Sequence, residues 1–102
     1  MSQKGYVIAE VKVHDVAAFA RYRALSTAAV EQYGGRFLVR GGAAEILEGP
    51  WAAPQRLIVV EFDSVEQAKL FYSSDEYQAA RKVRENAGEM NMLVATGVDD
   101  LV

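Results

Sequence analysis

The sequence predicts an α+β protein of the ferredoxin-like class, with the element order β-α-β-β-α-β. Two observations predict this class. Apolar residues alternate with a period of two in several segments of five to nine residues, and longer segments between them follow the helical period. Such β-α-β units form an antiparallel four-stranded sheet with the helical regions on one face.

The first half of the chain contains a strand, a long helix and a second strand. The first strand is predicted over residues 5–13, and Asp15 is a good N-cap for a helix that starts at Val16. Gly34 ends this helix after about 17 residues. The second strand is predicted over residues 36–40. Residues 44–48 are also strand-like, and they could extend the second strand past a bulge.

The second half repeats the order with a divided helix. A loop holds both prolines, and the third strand follows over residues 56–62, the most β-branched run of the chain. Ser64 and Gln67 form a capping box. A second box, Ser73 with Glu76, predicts a break near Ser73 and a separate short helix over residues 75–86. The last strand is predicted over residues 90–97.

Composition narrows the function classes. At 102 residues the chain is predicted to be one domain over residues 1–102. It has no cysteine, which excludes disulfides and thiol catalysis, and it has only one histidine. We therefore expect no metal site, and we expect no cofactor. The net charge is −3 and basic residues are scattered, which argues against nucleic acid. No apolar run approaches the ~20 residues of a membrane span, and no signal peptide is evident. A cytoplasmic protein is therefore expected.

The two faces of the predicted sheet differ in character. One is wholly apolar and is expected to lie under the helices; it comprises Val7, Ala9, Val11, Val13, Phe37, Val39, Ile58, Val60 and Phe62. The other, here called the open face, has no helix to cover it; it comprises Tyr6, Ile8, Glu10, Lys12, Arg36, Leu38, Arg40, Leu57, Val59 and Glu61. Covering its four large aliphatic side chains is worth roughly 6–10 kcal/mol before entropic costs. The sequence therefore predicts a homodimer with two sheets face to face.

Five segments together resemble the family of domain of unknown function 1330, in the dimeric α/β-barrel superfamily. They are residues 4–6, 33–42, 47–51, 61–62 and 74–78, and the resemblance spans almost the whole chain. The resemblance implies a ferredoxin-like protomer and a face-to-face dimer. It implies no established activity. No catalytic motif of the superfamily's enzymes maps onto this sequence, so no catalytic role is transferred.

The strongest candidate site is a charged cluster on the open face. Glu10, Arg40 and Glu61 fall there on three strands, with Tyr6 and Arg36 nearby. An arginine can clamp a small carboxylate, and a carboxylate of raised pKa can abstract or deliver a proton. Glu10 and Glu61 are thus candidate catalytic residues, and the other three are candidate substrate-binding residues. The alternative is an ion-pair network that satisfies charges at the dimer interface.

Two further residues have open roles. His14, at the first strand-to-helix junction, is either a general base or a polar loop residue. Trp51, in the proline loop, either roofs a substrate pocket, anchors the partner subunit or packs on its own domain.

Two functional hypotheses follow. In the first, the protein is a small cofactor-free enzyme or binder that holds a small organic molecule, an anion included, in a cleft on the open face. In the second, it is a non-catalytic homodimeric accessory module whose charges only lock the dimer. The two differ in whether the charged groups line a cavity open to solvent.

Overall fold

A computed structural model describes residues 3–98 and confirms the ferredoxin-like fold. The elements are β1 (Gly5–Val13), α1 (Val16–Gln32), β2 (Arg36–Gly42), β3 (Arg56–Phe62), α2 (Val65–Ser73), α3 (Asp75–Arg84) and β4 (Gly88–Thr96). The four strands form one antiparallel sheet in the order β2-β3-β1-β4. Residues 44–48, predicted to be strand-like, are not a strand, and β2 ends at Gly42.

The helix starts follow from side-chain caps. The Asp15 carboxylate accepts a hydrogen bond from the Ala18 amide at 3.1 Å, and the Ser64 hydroxyl accepts one from the Gln67 amide at 3.0 Å. The predicted break after α2 is confirmed, but the predicted capping residue is wrong. Ser74, not Ser73, caps α3, because Ser73 is still helical while Ser74 has the extended backbone that an N-cap requires.

The last strand begins at Gly88, two residues before the predicted start. Gly88 pairs with Val13, and a Cβ at this position would lie 2.6 Å from the Lys12 carbonyl oxygen. The absence of a side chain therefore lets β4 reach the end of β1.

The core lies between the helices and one face of the sheet. Its largest side chains include several aromatic rings. Phe71 packs between Phe62 and Tyr77, with tilted rings whose centroids lie 5.1 and 4.8 Å from its own. On the inward face of β1 and β3, Val7, Ala9, Val11, Val60 and Phe62 are buried, and Val13 and Ile58 are half-buried against them. This confirms that the apolar face of β1 and β3 lies under the helices.

The strand β2 has two irregularities in its pairing with β3, and the first of them, between Phe37 and Val39, changes which side chains share a face. Phe37 pairs with Val60, but the next paired residue, Val39, lies opposite Val59. Leu38 and Val39 thus form a bulge opposite one residue of β3, on the open face. Arg40 then pairs with Ile58, an inward residue. The predicted faces of Val39 and Arg40 are therefore wrong: Val39 lies on the open face and Arg40 on the helix side.

The open face carries the expected apolar centre. Ile8 lies between Val59 and Leu93, which pair with it from either side. No helix of residues 3–98 covers these side chains, and Leu38 is 54% exposed. Among the described residues, no helix is long and apolar enough to cross a membrane.

Candidate functional site

A cavity of about 370 Å³ lies between α1 and the helix-facing side of the sheet. Its walls are mainly apolar, and they include Val7, Ala9, Phe19, Phe37, Ile58, Val60, Met90 and Met92. Tyr22 and Ser26 of α1 contribute hydroxyl groups. A cavity with apolar walls and few polar groups is the usual form of a small-molecule site.

Three arginines complete the lining of this cavity: Arg23 from α1, Arg40 from β2 and Arg56 from β3. The Arg40 guanidinium lies 4.2 Å from the centroid of the Phe37 ring and donates a hydrogen bond to the Thr27 hydroxyl. Arg56 lies over the Phe19 ring, 5.7 Å from its centroid. Among residues 3–98, no aspartate or glutamate lines the cavity, and none forms an ion pair with these arginines. The cavity therefore favours an anion.

Tyr22 is the buried phenol in the wall of this cavity. Its hydroxyl lies 2.9 Å from the Tyr77 hydroxyl and 3.9 Å from the Met90 sulfur. Burial raises the pKa of Tyr22 above its ordinary value of 10.0, and burial raises the pKa of Tyr77 as well. Tyr22 is therefore a neutral hydrogen-bonding group at physiological pH. Sulfur is a weak acceptor, so a ligand oxygen would be a better partner.

These two phenols predict a loss of stability at alkaline pH. A group whose pKa is raised by folding contributes its stability below its unfolded pKa, and that stability is lost as pH rises through the folded value. We therefore expect the free energy of unfolding to fall above about pH 10. Urea unfolding as a function of pH measures this.

The matched variants remove one ionisable group each. In Tyr22→Phe and in Tyr77→Phe the alkaline loss of stability should be smaller than in the wild type, because each variant removes one of the two buried phenols. An alkaline profile identical in all three proteins would contradict a protonated buried pair.

The predicted open-face cluster is only partly assembled. Glu61 accepts hydrogen bonds from the Tyr6 hydroxyl at 2.8 Å and from Arg36. Arg36 and, second, Tyr6 hold the pKa of Glu61 below its usual range. The raised pKa expected for a proton-transferring carboxylate is therefore wrong for Glu61. The contacts favour the alternative role, an ion-pair network, although a catalytic role for Glu61 stays a prediction.

The other predicted residues lie apart from this network. Glu10 accepts a hydrogen bond from Asn91 at 3.1 Å on the open face, while Arg40 lies on the opposite side of the sheet. The structure thus does not bring Glu10, Arg40 and Glu61 together. His14 Nε2 lies 2.7 Å from the Glu89 carboxylate in an exposed position. Catalytic roles for Glu10 and His14 stay predictions.

Trp51 is 72% exposed in the loop between β2 and β3 and does not line the α1 cavity. Of the three predicted roles, packing on its own domain is therefore the least supported. A role in substrate binding or as an anchor for a partner subunit stays a prediction.

Sequence reasoning missed four polar residues of the cavity, namely Tyr22, Arg23, Ser26 and Arg56. One signal was available for part of this set: Tyr22 and Ser26 are four residues apart and share a helix face. Arg56 gave a second signal, because strand alternation places it on the same face as Ile58 and therefore on the otherwise apolar side of the sheet. Among the described residues, no group of three or more potential metal ligands occurs.

The fold and this cavity define a class: small ferredoxin-like proteins with a ligand-sized space between helices and sheet. The chain belongs to the family described as domain of unknown function 1330 (DUF1330), whose model matches residues 4–98. No curated protein matches the chain.

Solved structures share the fold at low sequence identity. A protein of unknown function from Rhodopseudomonas palustris is 18% identical, with a TM-score of 0.75 over 97% of this chain and 85% of that chain. A dimeric ferredoxin-like protein of unknown function from Bacteroides fragilis is 15% identical, with a TM-score of 0.59 over 91% and 95%. A proposed antibiotic biosynthesis monooxygenase from Caulobacter crescentus is 16% identical, with a TM-score of 0.59 over 96% and 92%. These similarities establish the fold alone.

Proposed function

We propose that the protein is a homodimer that binds a small organic anion in the cavity under α1. The observation that carries this proposal is the lining: three arginines around an apolar space, with no carboxylate among the described lining residues. The site lies on the helix side of the sheet, opposite the open face on which the sequence analysis placed the cleft.

Arg40 is the residue best placed to hold the anion. The Phe37 ring supports one face of its guanidinium, and Thr27 accepts one of its hydrogen bonds. A guanidinium has five N–H donors, so several remain for a carboxylate. Arg23 and Arg56 add positive charge at the same cavity. The aromatic rings of Phe19 and Phe37 favour a ligand with a flat apolar body.

The homodimer is supported by the uncovered apolar residues of the open face. Ile8, Val39 and Val59 lie side by side at its centre, and Leu38 is exposed beside them. A second copy of this face offers a matching apolar surface. The Bacteroides fragilis structure of the same fold is described as dimeric. The α1 cavity lies on the other side of the sheet, so a dimer that pairs the open faces does not cover this cavity.

A second candidate function is a non-catalytic homodimeric module. The contacts of Glu61 favour this second candidate. Glu61 accepts hydrogen bonds from Tyr6 and Arg36 of its own protomer, on the open face, so these groups already have partners without a ligand. The two candidates differ in whether a ligand binds in the α1 cavity. The binding proposal requires one, and the non-catalytic module does not.

Arg40→Ala tests the binding proposal. We expect benzoate to bind the wild type and the variant to bind it about tenfold to a hundredfold more weakly, because hydrogen bonds to charged groups are lost. Isothermal titration calorimetry measures both affinities, with benzamide as the neutral analogue of the same shape.

Arg21→Ala is the matched control, because Arg21 is an exposed arginine of α1 that does not line the cavity. Its benzoate affinity should equal that of the wild type. Failure of benzoate and of a panel of other small carboxylates to bind the wild type would overturn the proposal and favour the module.

A further inference from the structure

A second cavity lies between α2 and α3 on one side and β4 on the other, and we name it the β4 groove. Its volume is about 640 Å³. The floor is aliphatic, formed by Val7, Ala68, Met92 and Val94. On the helix side of the sheet, Tyr72 and Val94 are 40% and 38% exposed. The groove therefore leaves apolar side chains in contact with water.

The charged residues of the β4 groove are all cationic. Lys69 of α2 and Arg81 and Arg84 of α3 line it, and no aspartate or glutamate among the described residues does. None of the three forms an ion pair within residues 3–98. This concentration of positive charge occurs in a protein whose net charge is −3. The groove thus combines an aliphatic floor with uncompensated cations.

Arg84 provides an independent observation. Its guanidinium lies 5.2 Å from the centroid of the Tyr22 ring, a contact that engages the guanidinium face. Its Nε atom is buried and has no hydrogen-bond partner. A buried polar atom without a partner is unusual and calls for a specific explanation, such as a bound group that supplies the acceptor.

We propose that the β4 groove binds an amphipathic anion, a linear aliphatic carboxylate of medium chain length. The chain lies along Ala68, Met92 and Val94, and the methionine side chain adapts to its shape. The carboxylate lies against Arg84, whose guanidinium turns to give Nε an acceptor. Arg81 and Lys69 add attraction at the rim. This site is separate from the arginines of the α1 cavity and does not depend on the function proposed for that cavity.

Titration of the protein with decanoate, followed by amide chemical shifts in NMR, tests the proposal. We expect saturable shifts at Lys69, Tyr72 and Ser73 of α2, which line the β4 groove but not the α1 cavity. Decanol has the same chain without the charge and should bind at least about tenfold more weakly. Arg40→Ala should leave the α2 shifts unchanged, which separates this site from the α1 cavity.

Charge variants of α3 sharpen the test. The variant Arg81→Glu should weaken decanoate binding by about tenfold or more. Lys82→Glu is the matched control, because Lys82 adjoins Arg81 on the same helix but does not line the groove. Arg84→Lys keeps the charge and removes Nε, and we expect it to weaken binding while Lys82→Glu does not.

Three outcomes would overturn the proposal. The first is the absence of saturable α2 shifts in the folded wild type. The second is equal affinity for decanoate and decanol, which would show that the cations do not recognise the ligand. The third is equal weakening by Lys82→Glu and Arg81→Glu, which would show only the effect of overall charge.

Discussion

We expect Leu38→Glu to convert the proposed dimer to a monomer. Leu38 lies in the β2 bulge on the open face and is 54% exposed in the protomer, so a polar side chain costs little there in an isolated chain. In a face-to-face dimer the same position is buried, and an unpaired carboxylate in that interface is strongly unfavourable. The variant also introduces the charge into both copies of a symmetric interface, so the penalty occurs twice.

Light scattering at low micromolar concentration measures this effect, with an expected mass of two chains for the wild type and one for the variant. Leu70→Glu is the matched control, because Leu70 of α2 is 56% exposed but lies on the helix layer. It should remain a dimer. A wild type that is a stable monomer, or a Leu38→Glu variant that stays dimeric, would contradict the proposed interface.

Phe62→Ala should cause a large loss of stability. Phe62 is 0% exposed and stacks on Phe71, with ring centroids 5.1 Å apart. Its ring also packs against Gly35, where an added Cβ would lie 2.8 Å from two ring carbons. Removing it leaves a cavity between β3 and α2 that this tight packing cannot easily close. We expect the free energy of unfolding to fall by about 3–5 kcal/mol.

Urea unfolding, monitored by circular dichroism, measures the loss. Wild type and variant are compared at one chain concentration, since association would make the apparent stability depend on concentration. Leu47→Ala is the control, because Leu47 is almost fully exposed in the β2–β3 loop, and it should change stability by about 0.5 kcal/mol at most. A Phe62→Ala loss no larger than the Leu47→Ala loss would contradict the assigned core.

The fold was predictable because independent local signals agree with each other. Asp15 and Ser64 are placed as caps directly before helical periods, and the alternation in β1 separates its two faces over nine residues. The prediction of the helix cap was wrong where one local sequence pattern was compatible with two structures. Ser73 and Ser74 are both acceptable caps in sequence, and only the backbone of the break selects Ser74.

The candidate site was predictable only in part. Arg36, Tyr6 and Glu61 were expected to lie together, and they do. Arg40 was expected beside them, but the β2 bulge moves it to the helix side of the sheet. A shift of one residue in a strand exchanges its faces, so a single bulge changes the proposed site from an open-face cleft to a cavity on the helix side of the sheet.

The sequence by itself determined the order of elements, the buried face of β1 and β3, and the apolar open face, because each follows from the period of side chains along a local segment. Only the tertiary structure decided which arginines converge. Arg23, Arg40 and Arg56 come from three elements distant in the chain, and they meet because α1 lies across a sheet whose edge strand is bulged. The period of side chains predicts which face of its own helix or strand a residue occupies, but it does not predict the pairing register between strands. The binding proposal depends on that register.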